Sequence, residues 1–390
     1  MNKSIICSEL TNSYDISLTN GSLSHCCKFD NIKLNNVEMS ELKGKYFDLN
    51  SETQQARNDL INGIKTKRCN DCWELEAQGK DSWRTTHITN SDTVKLNLQI
   101  NSLCNQSCFY CSPYLSSSIA KYKQWINDSN AEIFTWNNEK TDQVMNFDYV
   151  IEFVADLPST VTSLMLGLTG GEPFLTENFN SRIQQLMFEF SKKDRNRKII
   201  LSISTNTNVD VENLKFFYEI VDKLKETNNV EIQITTSIEN IEQRAEYVRG
   251  GLVWSNFLEN FKIHNTNADQ HRIRMTVNPF TVVKIVDFVK FFSAYDVLID
   301  YNYPFQKFYR MDILDSTFES ELIQLEDYVH KNSLQHKFLG NWYSKLVLNL
   351  CDDKENALRF KQAITNVDKI KNSNWRTVFP EYIEWFDKIK

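Results

Sequence analysis

Val94-Lys-Leu-Asn-Leu-Gln-Ile100, followed at once by Asn101-Ser-Leu-Cys104-Asn-Gln-Ser-Cys108-Phe-Tyr-Cys111, is the stretch on which the reading turns. Its first half alternates apolar and polar residues, the period-two pattern of a half-buried strand. Its second half sets three cysteines at spacings of four and three, so one compact loop can wrap three thiolates around a metal centre. The loop follows the C-terminal end of a strand, where α/β folds place their ligand sites. Structural zinc takes four protein ligands. An iron–sulfur cluster is held by cysteine thiolates, and with three of them it leaves one iron open. The spacing favours the cluster; a zinc knuckle completed by a distant fourth ligand is the alternative.

Downstream, Leu164-Met-Leu-Gly-Leu-Thr169 reads as a second strand running into Gly170-Gly171-Glu172-Pro173. Two glycines let backbone approach a ligand closely, and Glu172 adds an acceptor for an ammonium group. Phe179, Ile183, Leu186, Met187 and Phe190 then mark one helical face. Residues 198–204 form the next strand, ending in Thr205-Asn206-Thr207-Asn208. Leu214, Phe217, Val221 and Leu224 mark a helix. Residues 230–236 alternate as a strand leading to Ser237-Ile238-Glu239. A long helical stretch over 241–263 follows, then a strand at 273–277, a helix at 282–292 and a strand at 296–301. Strands alternating with helices predict parallel pairing and right-handed crossovers.

The three-cysteine loop with Tyr110 before its last cysteine, together with the Gly170-Gly171-Glu172 strand end, resembles the radical S-adenosylmethionine superfamily over roughly residues 90–305. That resemblance implies an α/β fold, a partial (β/α)6 barrel with its site at the strand C-termini. It implies a [4Fe–4S] cluster on Cys104, Cys108 and Cys111, with S-adenosylmethionine chelating the open iron. Gly170, Gly171 and Glu172 would bind the methionine amino group, with Tyr110 as part of the cofactor site. Asn206 resembles an asparagine near the ribose, and Ser237 the serine of a Ser-x-Glu element. Arg249 resembles an arginine pairing with the methionine carboxylate; a guanidinium fork suits that group. Read as residues alone, Asn206 is also an ordinary turn residue, Ser237 a helix cap and Arg249 a solvated helix charge. The implied activity is reductive cleavage of S-adenosylmethionine to a 5′-deoxyadenosyl radical that takes hydrogen from a substrate. The electron would come from a flavodoxin or ferredoxin.

Cysteine placement supports ligation elsewhere too. Eight of the nine cysteines lie in the first 111 residues, with only Cys351 beyond them; that one reads as a small buried side chain. Residues 14–18 and 22–26 around Asn20-Gly21 predict a hairpin. Cys69-Asn-Asp-Cys72 then continues to Glu76, Gly79, Ser82 and Arg84. This resembles the twitch or SPASM-like cap of the same superfamily, placed before the barrel. The resemblance implies an auxiliary [4Fe–4S] cluster on Cys7, Cys26, Cys69 and Cys72. Cys27 is the alternative to Cys26, and a four-cysteine zinc site competes. His25 reads as incidental.

Composition sets the remaining bounds. The chain has 390 residues, net charge −7, 41% hydrophobic and 12% aromatic residues, with only 10 Gly and 6 Pro. That is enough apolar content for a core, and too little Gly and Pro for a collagen-like, low-complexity or turn-rich all-β chain. Mild acidity argues against nucleic-acid binding, although Lys65-Thr66-Lys67-Arg68 is locally basic and could dock an acidic electron donor. No run approaches ~18 apolar residues, so no membrane span is expected. No signal-peptide pattern opens the chain, and the expected location is cytoplasmic, where cysteines more often bind metal than form disulfides. The expected partition is 1–90 cap, 91–305 barrel and 306–390 helical extension. The Ser116-Ser117-Ser118 run reads as a helix start or linker. A peptide or protein substrate is preferred to a sugar, nucleoside or other small molecule. A non-enzymatic zinc-binding module and an RNA-modifying radical enzyme are the other readings.

Overall fold

The computed structural model describes residues 7–19, 21–26, 32–33, 51–79, 82–86, 92–113, 115–122, 146–304 and 306–389. In chain order its strands are β1 (Ser13–Ser17), β2 (Ser22–Ser24), β3 (Ile32–Lys33), β4 (Thr93–Gln99), β5 (Ser107–Cys108), β6 (Ser163–Thr169), β7 (Lys198–Thr205), β8 (Asn229–Ser237), β9 (Arg249–Gly250), β10 (Gln270–Thr276) and β11 (Leu298–Asn302). The protein is α/β. Two compact units are present: Met1–Asn101 with Glu139–Ile203 and Phe216–Ile232, and Ser102–Asn138 with Ser204–Lys215 and Gln233–Lys390.

In the first unit the strand order is β7-β6-β4-β1-β2-β3, with the first half of β8 beside β7. Strands β7, β6, β4 and β1 run parallel, while β2 and β3 are antiparallel additions. The register aligns Tyr14 with Leu96, Leu96 with Leu166 and Leu166 with Leu201. The alternation read in the sequence is the alternation observed. Leu96, Leu98, Leu164, Leu166, Leu168, Ile199, Leu201 and Ile203 are fully buried, each burial stabilising by about 1.5–3 kcal/mol. Helix Phe179–Ser191 buries Phe179, Ile183, Leu186, Met187 and Phe190, the face its periodicity predicts.

In the second unit the latter half of β8 pairs in parallel with β10, and β10 with β11. Its core is aromatic. Phe280 stacks on Phe379 with ring centroids 4.2 Å apart, and Phe360, Trp375, Tyr382 and Phe386 join the same apolar cluster as Phe109 and Val277. The C-terminal helices therefore share the core of the strands they follow.

Several expectations are revised. The units are assembled from alternating chain segments; β1 pairs with β4, which groups the N-terminal residues with central strands. The expected helix over 241–263 is broken into Glu242–Val248 and Trp254–Asn267 by β9. Gly251, at φ +96°, makes the break: a Cβ there would stand 2.6 Å from the Asn105 carbonyl oxygen. The hairpin loop spans residues 18–21 rather than two residues, because Ser17 pairs with Ser22 and the Leu18 N–H turns to Gln99. Asn20 and Cys27 lie outside the described residues. Cys351 is exposed rather than buried. Among the described residues no helix is long and apolar enough to cross a membrane.

Candidate metal and cofactor site

The chain leaves β4 at Gln99 and enters a loop whose backbone has almost no regular partners. Buried backbone polar groups must find partners somewhere, and here side chains supply them. The Ser117 hydroxyl accepts from the Cys104 N–H at 3.1 Å, Ser118 Oγ donates to the Cys104 carbonyl at 2.6 Å, and Ser116 Oγ donates to the Gln106 carbonyl at 3.0 Å. The three-serine run is thus a brace for the cysteine loop as well as the start of helix Ser117–Ala120, which Ser116 caps. On the other side β5 pairs with β9, Cys108 opposite Arg249 and Ser107 opposite Gly250.

This folding keeps Cys104, Cys108 and Cys111 on one loop, within electrostatic reach of one another. Burial is the main reason that the Cys108 thiol is pushed up to about 11 and Cys111 higher still; the charge of Cys104 raises both, and that of Cys108 adds to Cys111. Donors converge on the sulfurs. The Gln106 N–H reaches Cys104 Sγ at 3.4 Å and Asn206 Nδ2 at 3.7 Å. Arg249 Nη1 stands 3.9 Å from Cys108 Sγ. Donors of this kind offset charge on ligating thiolates. Burial also lowers the Lys371 amine to about 8, with Cys108 and Asp368 pulling it back up.

Asn206 is buried at the end of β7, where Nδ2 also donates to Asn105 Oδ1 at 2.8 Å. Asn105 in turn donates to the carbonyl of Asn208. The strand end at 205–208 and the cysteine loop are one hydrogen-bonded piece. Arg249 is not a solvated charge. It lies in a buried ion pair with Glu239, whose Oε2 accepts from Nε at 3.0 Å and Nη2 at 2.6 Å. Tyr110 donates its hydroxyl to Glu239 Oε1 at 2.9 Å. Burial opposes the arginine's charge, and Glu239 with Tyr110 and Cys108 more than restores it, so the group titrates above its ordinary range. Ser237 is half-buried at the end of β8, paired in register with Arg274.

Gly170, Gly171 and Glu172 belong to the first unit, at the end of β6. Gly170 has φ +125°, and a Cβ there would stand 2.3 Å from the Asn101 carbonyl oxygen. That oxygen accepts the Gly171 N–H at 2.8 Å. The first glycine is therefore required by backbone contact with the residue that leads into the cysteine loop. Glu172 is fully buried and accepts from the Phe174 N–H at 3.3 Å.

The N-terminal cysteines form a second cluster of side chains in the first unit. Cys7, Cys26 and Cys69 share an apolar cluster with Leu10, Leu60 and Trp73, and Cys72 is buried beside Trp73 on helix Asn70–Ala77. Burial, then the charges of Cys7 and Cys72, push Cys69 up to about 11. The residues after Cys72 form a clamp. Glu76 accepts from Ser82 Oγ at 2.6 Å and from Arg84 Nε at 3.1 Å, with a second contact to Arg84 Nη2. Arg84 and Lys65 each lie over the Trp73 ring, at 4.6 and 5.3 Å. Burial alone would raise Glu76; the hydrogen bonds from Arg84 and Ser82 hold it below the usual carboxylate range. His25 is buried and bonded to the Ser13 carbonyl at 3.0 Å; burial, then Arg57, lowers it to about 4.

No family model matches this sequence, and no curated protein matches it. Among the described residues no three His, Cys, Asp or Glu side chains are set to hold a single metal ion. Sequence reasoning gave no role to Asn105, Asn208 or Lys371. It saw Glu239 without its role, because Arg249 was assigned by resemblance to the cofactor's carboxylate rather than to a carboxylate of the chain itself.

Proposed function

We propose that this chain is an S-adenosylmethionine-dependent radical enzyme whose Cys104/Cys108/Cys111 loop holds a [4Fe–4S] cluster. One observation carries the reading: three cysteines share one braced loop, with N–H donors from Gln106, Asn206 and Arg249 reaching two of their sulfurs. Burial keeps Cys108 and Cys111 protonated without a metal; a bound cationic centre would offset the mutual repulsion of the thiolates, and the donor set suits iron–sulfur ligation. The parallel runs β4-β6-β7 and β8-β10-β11 support a partial (β/α)6 barrel.

When bound, the cluster and S-adenosylmethionine supply one-electron cleavage of the sulfonium and hydrogen abstraction from a substrate. The chain's own residues hold and orient. Cys104, Cys108 and Cys111 are the three ligands. Asn206 fixes the loop through Asn105, and the resemblance places it near the ribose. Gly170, Gly171 and Glu172, with Tyr110, Ser237 and Arg249, are the residues the resemblance assigns to the cofactor. Cys7, Cys26, Cys69 and Cys72 would hold an auxiliary [4Fe–4S] cluster, supported by the charge effect of Cys7 and Cys72 on Cys69 and by the apolar cluster that Cys7, Cys26 and Cys69 share. The reading includes a flavodoxin or ferredoxin as electron donor and a peptide or protein as substrate.

Anaerobic reconstitution with iron and sulfide tests it. The expected protein is brown, binds iron, and forms 5′-deoxyadenosine from S-adenosylmethionine with a strong reductant. Cys104→Ala, Cys108→Ala and Cys111→Ala each abolish that product. A colourless zinc-bearing protein, or product retained in these variants, overturns the assignment.

A further inference from the structure

We propose that Lys371 is a positioning residue for the cysteine loop, tethering Ser107 and placing a fixed ammonium beside the Cys108 ligand so as to raise the reduction potential of the bound cluster. The proposal rests on the reading that this loop carries an iron–sulfur cluster.

Lys371 is the last residue of helix Lys354–Lys371. Its Nζ donates to the carbonyl oxygen of Ser107, the residue before Cys108. The path is cut to fit. A Cβ on Gly250 would stand 2.5 Å from Nζ, 3.1 Å from Cε and 2.9 Å from Ser107 Oγ. Glycine at 250 is therefore what lets the lysine reach the loop, and Ser107 Oγ donates to the Gly250 carbonyl at 3.2 Å across the same gap.

The lysine is also carried by a fixed element. One turn back, Asp368 accepts from Tyr247 Oη at 2.9 Å, Ser373 Oγ at 2.8 Å and the Trp375 N–H at 3.0 Å. Further back Phe360 is buried among Phe109, Phe280 and Trp385. Phe109 is the next residue after Cys108, so helix and loop are joined by core packing as well as by the tether. Of the neighbouring charges, Arg249 is matched by Glu239, and Asp368 partly offsets the lysine while accepting from Tyr247, Ser373 and Trp375. The ammonium is the cation tied directly to the loop, through the Ser107 carbonyl beside Cys108, in a poorly solvated place. Adding an electron to a cluster adds negative charge, which a nearby fixed cation stabilises.

The test compares reconstituted wild type, Lys371→Met and Lys371→Arg by iron per chain and by a redox titration followed by electron paramagnetic resonance. The expected result is a reduced-to-oxidised ratio in Lys371→Met lower by on the order of tenfold at a fixed potential, with Lys371→Arg within a few-fold of wild type. If Lys371→Met does not fold, Lys371→Gln, which keeps a donor for Ser107 without the charge, carries the same comparison. A neutral variant that keeps its iron and titrates like wild type overturns the proposal. Wild type that binds no cluster instead overturns the reading beneath it.

Discussion

Glu239→Ala removes a carboxylate that accepts three hydrogen bonds, from Arg249 Nε, Arg249 Nη2 and Tyr110 Oη. The two charged side chains are 5% and 1% exposed, so water cannot replace what is lost. Stranding one member of a buried ion pair costs about 3–5 kcal/mol, and the Tyr110 hydroxyl left without its acceptor adds about 1 kcal/mol. The expected loss is therefore about 4–6 kcal/mol, read as a shift of the urea midpoint of the metal-free chain. Glu239→Gln keeps the shape and two of the bonds and should cost about half as much. Glu239→Leu with Arg249→Met removes both charges together and should recover to within about 2 kcal/mol of wild type. A loss below about 1 kcal/mol in Glu239→Ala, or a double variant as unstable as its two single changes added, refutes the claim that this pair anchors the loop around Cys108.

Cys69→Ala with Cys72→Ala should lower iron by about one cluster per chain while leaving some S-adenosylmethionine cleavage; unchanged iron in that double variant removes the auxiliary centre. Acid should destabilise the second unit through His271, which burial lowers to about 3. The unfolded chain takes up a proton near pH 6.5 that the folded chain refuses, so this contribution is whole above pH 6.5 and drains as pH falls toward 3. From pH 7 to 5 the expected loss is about 2 kcal/mol, and His271→Gln should flatten the slope of urea midpoint against pH; an equal slope in the variant refutes it.

Period-two alternation was enough to place β4, β6, β7 and β8 within a residue or two of their observed limits, because each strand buries one face and a shifted register would expose its leucines. Cysteine spacing was enough to single out the loop at 104–111, since covalent chain length limits how far apart three thiols so close in sequence can lie. The helix break at Arg249–Gly250 was not legible in the same way. Helical periodicity around it is sound, and what interrupts it is a two-residue ladder with Ser107 and Cys108, more than 140 positions away in the chain.

Local pattern thus named the cysteine loop and the strands, whose physics acts over a few residues. Which neighbours hold that loop was decided by long-range packing: Asn206 on the loop, Glu239 on Arg249 and Tyr110, and Lys371 through the gap above Gly250. Such partners are chosen by burial, because a polar group removed from water must find its complement wherever folding brings one within reach. No window of adjacent residues records that choice.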